Sequence, residues 1–288
     1  MTILNGITNI KILRYLIFLF FLKISLCSFS QVSKNFEFGN HLINQGNFRE
    51  AIEYPNLINN AGFSVSQFDS LDFIIGKASF YSKDFELAIQ KFNTITDIKL
   101  FETSIYYLSL SNLYIGKTGL SESLVRSLSN NNLNSLVIKG DYILANKVDS
   151  ARLMKLDNSG FLIKKHFNDL DQIIERVETR KIKSPILAAT MSAIIPGSGK
   201  FYTGKIGEGV ASLLMVGILT ASSIEQYNNG GFVNPQFYLM SLPAAFFYVG
   251  NIYGSYFSVK VANIEFNEEI RNEVLFHLHI PFKSIYRQ

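Results

Sequence analysis

The chain has 288 residues, of which 48% are hydrophobic and 17% charged, and it carries a net charge of +4. It is therefore more apolar than an ordinary soluble domain of this length. A basic chain can bind nucleic acid, but this sequence has no block of lysine and arginine that would form a binding face, which argues against such a partner. The charges are also unevenly spread, since residues 184–259 contain only four of them. The composition predicts a polar part followed by an apolar one.

Residues 1–30 have the layout of a secretory signal peptide. Lys11 and Arg14 precede an apolar run over residues 15–22, and small residues lie at the positions that a cleavage at the end of this segment requires. Lys23 interrupts the apolar character, so an uncleaved N-terminal anchor is the alternative. Either segment would export the residues that follow it.

The chain contains a single cysteine, Cys27, within this N-terminal segment. Leu26 is too bulky for the position that precedes a lipidated cysteine, so lipidation is not expected. Cleavage of the signal peptide would leave a chain that could form no disulfide, thiolate metal site or cysteine nucleophile. We therefore expect the exported part to be stabilised by burial alone.

Residues 31–156 are predicted to form helix-turn-helix repeats, because the same landmarks recur along them. Each copy has a small residue, a bulky residue nine positions later, and a second small residue twelve positions after the first. The three sets are Gly39, Phe48 and Ala51; Gly76, Phe85 and Ala88; and Ser111, Leu120 and Ser123. Two helices approach closely where small side chains face each other, and the bulky residue fills the wedge at the turn. One hairpin cannot bury its apolar face alone, so the copies are expected to stack.

This pattern resembles that of the tetratricopeptide repeat family over about residues 35–130. The resemblance implies an all-α fold in which stacked hairpins form a solenoid. The sequence departs from the family pattern at Pro55, which is predicted to kink the second helix of the first repeat because it removes a hydrogen bond. It departs again in the third copy, where serine takes both small positions. An irregular helical domain without true repeats is the alternative interpretation.

Two further helical elements are predicted before the apolar part. A fourth, degenerate hairpin over residues 133–156 would turn at Asn146 and Lys147 and carry Ala151 in the small position. In residues 157–183, apolar residues recur every three or four positions, which is typical of an amphipathic helix that caps the stack and carries the chain to the bilayer. These apolar residues are Phe161, Phe167, Leu170, Ile173, Ile174 and Val177.

Residues 184–259 are predicted to form a transmembrane domain. They contain three charge-free windows at 184–199, 209–224 and 237–259, whereas a spanning helix needs about 20 apolar residues. The first two windows are shorter than this, so each is a short span or, for the first, a half-helix; the third is long enough. The sequence predicts two or three transmembrane helices, and the distribution of lysine and arginine favours three. Residues 260–288 are predicted to be an amphipathic C-terminal tail.

The turn between the first two windows carries a motif of glycines and aromatic residues, which we call the membrane motif. Its members are Pro196, Gly197, Gly199, Lys200, Phe201, Tyr202, Gly204 and Gly209. The motif resembles a signature of small bacterial membrane domains: the two-span Phe-Tyr-x-Gly domains, and envelope proteins in which a Pro-Gly-x-Gly-(Lys/Gln)-x-Tyr-x-Gly segment follows exported helical repeats. Glycines allow a tight turn and a close approach of backbones, while the aromatic pair suits the headgroup level. A plain membrane hairpin turn is the alternative.

No nucleotide site is predicted. The run from Gly199 to Lys205 mimics a nucleotide-binding P-loop, but Ile206 stands where serine or threonine must bind magnesium. No strand is predicted before it. The spacing alone therefore does not indicate nucleotide binding.

No metal, cofactor or catalytic site is predicted either. His277 and His279 would share one face of a strand and so could form a metal pair, but no third ligand is evident. His41 and His166 are isolated in the sequence. A polar edge on an amphipathic C-terminal element is the preferred interpretation of the histidine pair, and no nucleophile motif is present.

Together these observations predict a non-enzymatic, integral membrane protein of the bacterial cell envelope, with its repeat domain on the periplasmic side. Stacked hairpins present grooves that suit peptides and helices, so the expected partners are proteins, bound in a scaffold or assembly role, and membrane lipids. The alternative is a small transport or membrane-biogenesis component in which the membrane motif is the functional part. A third interpretation is an enzyme acting at the membrane.

Overall fold

The computed structural model describes residues 36–58, 62–126, 128–156 and 160–285. Within these ranges the chain is helical and contains no strand, which confirms the predicted all-α class. The chain divides into two compact units, the first of Met1–Ile174 with Val274–Gln288 and the second of Glu175–Glu273. The predicted signal peptide, residues 1–30, lies outside the described ranges.

The first unit is built from helices that alternate between long and short. They are α1 (described over residues 36–44), α2 (Phe48–Glu53), α3 (Val65–Tyr81), α4 (Phe85–Phe92), α5 (Ile98–Tyr114), α6 (Ser121–Val125), α7 (Asn131–Leu144), α8 (Val148–Leu153) and the first part of α9 (Phe161–Thr179). Helix α2 ends at Glu53, and a 3-10 helix over Tyr54–Leu57 follows it. This break agrees with the kink predicted at Pro55, which has no amide hydrogen to continue the α-helix.

The turns of the four hairpins share one backbone geometry. Each contains a residue with positive φ, namely Gly46, Lys83, Gly116 or Asn146. The amide of that residue donates to the carbonyl three positions earlier, and the next amide donates to the carbonyl five positions before it. This is the Schellman arrangement that ends a helix and reverses the chain. Five positions after the positive-φ residue, each hairpin has a small buried residue; these are Ala51, Ala88, Ser121 and Ala151.

The first two hairpins use glycine where their helices meet a neighbour. A Cβ atom added at Gly39 would lie 2.7 Å from a methyl group of Ile74, and one added at Gly76 would lie 2.9 Å from the ring of Phe92. The bulky residues at the turns pack on aromatic rings. Phe48 stacks on Tyr81 and Phe85 stacks on Tyr114, with ring centroids 6.0 and 4.5 Å apart.

The third hairpin differs from the predicted register by two residues. Leu120 and Ser123, expected in the wedge and in the small position, are exposed. The buried pair is instead Ser109 and Ser121, whose Oγ atoms lie 2.9 Å apart, and these two residues keep the spacing of twelve. The shift arises because the positive-φ turn is at Gly116, and the turn rather than the bulky residue fixes which side chains face each other.

Two buried carboxylates stabilise the starts of α5 and α6. Asp69 on α3 accepts hydrogen bonds from the amides of Thr96 and Asp97, at 2.8 and 2.7 Å. Asp141 on α7 accepts from the amides of Gly119 and Ser121, at 2.7 and 2.9 Å. Because the first amides of a helix have no partner within it, these carboxylates satisfy groups that would otherwise be buried unpaired.

Helix α9 is the predicted amphipathic helix, and it packs on the fourth hairpin through a buried cation. Lys139 on α7 is 1% exposed, its Nζ lies 2.5 Å from Asp171 Oδ1, and it also lies 3.8 Å from the ring centre of Phe167. Burial lowers the pKa of the Lys139 ammonium, and Asp171 opposes this effect. Both partners lie on α9, so removing either would leave the buried cation poorly compensated.

We expect Gly76→Val to destabilise the first unit by about 1 to 3 kcal/mol, because its Cβ would press on the Phe92 ring inside the packed second hairpin. The matched control is Gly160→Val, since a Cβ there meets nothing within 4 Å. Hydrogen exchange of α3 and α4 in the full chain reports the free energy of local opening. Equal exchange in the two variants would contradict the close contact.

The second unit contains the end of α9, then α10 (Pro185–Ile194), α11 (Ser198–Thr203), α12 (Ile206–Gly230), a 3-10 helix (Gly231–Val233) and α13 (Pro235–Ile285) up to Glu273. Among the described residues, one helix is long and apolar enough to cross a membrane: Ile206–Val233, which has 28 residues and an 18-residue window with a mean hydropathy of 1.5. Only 17% of its most apolar window is buried, unlike the core helix of a soluble protein. The predicted window at 184–199 is divided between α10 and α11, and α13 has no boundary at residues 259 and 260.

Candidate functional site

The helices α3 and α5 of the first unit bring aromatic side chains together. We call Phe80, Tyr81, Tyr106 and Tyr107 the aromatic face. The ring centroids of Phe80 and Tyr107 lie 5.1 Å apart, and the hydroxyl oxygens of Tyr81 and Tyr107 lie 3.2 Å apart. Burial, with a smaller contribution from Tyr81, raises the pKa of Tyr107 far above its ordinary value, so this phenol stays neutral. Phe80, Tyr106 and Tyr107 are buried, so the face is uncharged and closely packed.

The aromatic face is covered by the last turns of α13, residues 274–285, which we call the C-terminal segment. The ring of Phe282 meets Tyr107 edge to face, with centroids 4.6 Å apart, and the ring of His279 stacks on Phe80 at 5.8 Å. The buried apolar side chains of the segment are Val274, Leu275, Leu278 and Phe282. Residues spaced by four lie on one side of a helix, so the segment docks as an amphipathic helix. The predicted amphipathic tail thus contributes to the core of the first unit.

Gly140 on α7 allows the C-terminal segment to approach α7 closely. A Cβ atom added there would lie 2.7 Å from a methyl group of Leu278. The repeat pattern does not indicate Gly140, because Gly140 lies outside the repeat landmarks and faces Leu278, far along the chain. Its position in the middle of a predicted helix, where glycine is unfavourable, was the available signal.

Beside the end of the C-terminal segment, the first hairpin borders an open groove of about 610 Å³. Its lining includes Phe48, Lys77, Tyr81 and Lys283. The ammonium of Lys77 donates to Asn40 Oδ1 at 3.1 Å, and burial lowers its pKa. Two lysines among aromatic rings make the groove suited to an amphipathic peptide that carries carboxylates.

The structure corrects the interpretation of the histidines. His277 and His279 lie on a helix rather than a strand, so they do not share a face. His166, isolated in the sequence, has its Nδ1 atom 2.8 Å from Nδ1 of His277, although 111 residues separate them. Asp169 Oδ2 lies 3.5 Å from His277 Nδ1 and 4.0 Å from His166 Nδ1. Burial, followed by repulsion from His277, lowers the pKa of His166.

In the second unit, the membrane motif forms a turn in which three of the glycines leave no space for a side chain. Gly197 has φ of 86°, and a Cβ there would lie 2.1 Å from the carbonyl oxygen of Gly209. A Cβ at Gly199 would lie 2.1 Å from the carbonyl oxygen of Ala188. A Cβ at Gly209 would lie 2.5 Å from the ring of Phe201. A side chain at Gly197 or Gly199 would therefore strike backbone, and one at Gly209 would strike an aromatic ring.

A buried polar network joins this turn to α13. Ser192 Oγ accepts from the amide of Gly199 at 2.9 Å and lies 2.6 Å from Ser255 Oγ. Asn251 Oδ1 accepts from the amide of Gly197 at 3.1 Å. The three side chains are at most 5% exposed. Such satisfied networks stabilise helix contacts where hydrophobic association is weak, as between helices in lipid.

The remaining members of the membrane motif are placed around the turn. Lys200 Nζ donates to Ser212 Oγ at 2.9 Å, and the Tyr202 hydroxyl accepts from the amide of Ser184 at 3.2 Å. Gly204, with φ of 88°, ends α11, and Pro196 directly precedes the turn glycine. Lys205, the lysine of the P-loop-like spacing, has its Nζ 3.7 Å from Glu208 Oε1.

Comparison of the chain with protein-family models, with curated proteins and with solved structures gives no match.

Proposed function

We propose that this protein is a membrane-anchored scaffold of the bacterial envelope whose helical-hairpin unit binds an amphipathic helix of a protein partner. One observation carries the proposal: the aromatic face already holds an amphipathic helix, the C-terminal segment, with its apolar side chains buried. A surface that binds one such helix has the shape and chemistry to bind another beside it. The open groove next to Lys283 is the place proposed for the partner.

A tetratricopeptide-like solenoid is the proposed architecture of the first unit. Four turns with the same hydrogen bonds and the same small residue five positions later support it. The sequence pattern weakens along the chain for two reasons. The third hairpin has a shifted register, and in the fourth hairpin Lys139 stands twelve positions before Ala151, where the other hairpins have a small residue. The proposal is therefore that the turns, rather than the bulky residues, determine how the helices of each hairpin pack.

Membrane anchoring rests on the second unit. Leu214 and Ile218 of α12, and Leu242 and Phe246 of α13, are each more than half exposed, although all four are strongly apolar. A soluble unit would expose so many large apolar side chains at a high cost in free energy, whereas hydrocarbon accommodates them. The exported orientation follows from the proposed signal peptide in residues 1–30.

Two spans are proposed rather than three. Helix α10 has ten residues and extends only about 15 Å, half of the bilayer core. The two spans proposed are α12 and residues 237–259 of α13. The latter stretch carries no charge, although among the described residues only Ile206–Val233 meets the length and hydropathy of a membrane span.

The alternative function, a transport or membrane-biogenesis component, is favoured by the membrane motif itself. A turn fixed by three glycines and a buried polar network is more precise than a simple anchor needs. In that case, the working surface would lie near Phe201 rather than beside Lys283.

Photo-crosslinking in the native envelope tests these proposals. A photoreactive residue at Gln45, which lines the open groove, is expected to give one discrete adduct, and mass spectrometry should identify the captured peptide as an amphipathic helix. The matched control is Gln90, which is also exposed but lies on α4 outside the groove lining. Equal adducts at both glutamines, or no protein adduct at Gln45, would contradict the scaffold. A third variant carries the photoreactive residue in place of Phe201. A protein adduct from that variant alone would favour the transport or membrane-biogenesis alternative.

A further inference from the structure

Two histidines and a carboxylate converge in the first unit. The pairwise distances among His166 Nδ1, His277 Nδ1 and Asp169 Oδ2 are 2.8, 3.5 and 4.0 Å. Two of these residues are three positions apart on α9, and the third belongs to the C-terminal segment. His166 is 5% exposed, whereas the side chains of His277 and Asp169 are 17% and 26% exposed. The cluster is therefore anchored at one side and accessible at the other.

We propose that His166, Asp169 and His277 bind a divalent transition-metal ion of the zinc type. Zinc takes histidine nitrogens at about 2.0 to 2.1 Å and carboxylate oxygens at about 2.0 to 2.2 Å in a tetrahedron, which separates neighbouring ligand atoms by about 3.3 Å. The three observed distances bracket this value. All candidate ligand atoms lie within 4.8 Å of one another, so small side-chain rotations suffice to complete the site.

The charge and the chemistry of the set also suit zinc. Two neutral imidazoles and one carboxylate carry a charge of −1, so the site with a divalent ion would have a net charge of +1. Imidazole is also a preferred zinc ligand. Three protein ligands leave the fourth position to water on the accessible side. The site contains no thiolate, so it is a weaker site than a structural cysteine site.

Metal binding would have a mechanical consequence. Because His277 lies on the C-terminal segment and the other ligands lie on α9, the ion would cross-link two helices that 111 residues of chain separate. Metal bound to the folded state alone stabilises that state by mass action. Zinc is therefore expected to hold the C-terminal segment on the aromatic face.

The test uses the full chain without a histidine tag, in detergent, after chelator treatment. Calorimetric titration with zinc chloride is expected to show one equivalent bound, and Co²⁺ should give the intense visible absorption of a four-coordinate site. Asp169→Asn and His277→Gln are each expected to weaken zinc binding by at least about tenfold. His41→Gln is the matched control, because His41 is an exposed histidine on α1.

Zinc should also slow hydrogen exchange in residues 274–285 of the wild type and of His41→Gln, but not of His277→Gln. Asp169→Asn keeps the shape of a partly exposed side chain, so its loss of zinc binding cannot be ascribed to misfolding when its metal-free exchange matches the wild type. Failure of the wild type to bind zinc, or unchanged binding in both ligand variants, would overturn the proposal. The two histidines would then form only a hydrogen-bonded pair.

Discussion

Gly199→Ala is expected to disrupt the helical turn of the second unit and to destabilise it by about 3 kcal/mol or more. The new methyl group would lie 2.1 Å from the carbonyl oxygen of Ala188 and 2.7 Å from Ser192 Oγ. The first is a backbone atom within α10, so relief requires a shift of the helix rather than a side-chain rotation, which places the cost at the upper end for overpacking. The Ser192 hydroxyl would also be pushed out of its hydrogen bond with the Gly199 amide.

Matched glycines in the same unit give the control. A Cβ at Gly207 or at Gly217 meets nothing within 4 Å, so alanine at either position should be tolerated. Full-length variants in lipid nanodiscs would be compared by hydrogen exchange of α10 and α11. Exchange in Gly199→Ala should be faster by a factor of 100 or more, which corresponds to about 3 kcal/mol. Similar exchange in Gly199→Ala and Gly207→Ala would show that the backbone contact is not as close as described.

Close packing around the turn of the second unit is the kind of feature that a sequence can reveal. Three of its glycines have local reasons to lack a side chain: Gly197 has a positive φ, and Gly199 and Gly209 face atoms nearby in the sequence. Local geometry of this kind leaves a readable pattern in residue type. In the first two hairpins, Gly39 and Gly76 are small where another helix is close, and their regular spacing makes them visible in the sequence.

The aromatic face and its occupant could not be predicted, because their contacts are distant in sequence. Leu278 meets Gly140, and His277 meets His166, across more than one hundred residues, and periodicity carries no information about such pairs. The predicted register of the third hairpin was wrong for a different reason. Leu120 matched the bulky landmark by residue type, but the turn at Gly116 set the register, so the landmark is on the surface.

Phe282→Ala is expected to destabilise the first unit by about 3 to 5 kcal/mol. Phe282 is 1% exposed and meets both Tyr107 and Tyr106, with ring centroids 4.6 and 6.1 Å apart, so its removal leaves a cavity against the aromatic face. The matched control is Phe276→Ala on the same segment, because Phe276 is 56% exposed and its loss should cost little. Hydrogen exchange of α5, α7 and residues 274–285 in the full chain provides the measurement. Equal effects of the two substitutions would contradict the docking of the segment.

A double substitution separates docking from a general loss of stability. Gly140→Ala alone should loosen the C-terminal segment, because its methyl group would lie 2.7 Å from a methyl group of Leu278. Leu278→Ala removes the atoms that this methyl group strikes, so the pair should be less harmful than the sum of the two single changes. Independent, additive effects would mean that the two residues do not touch.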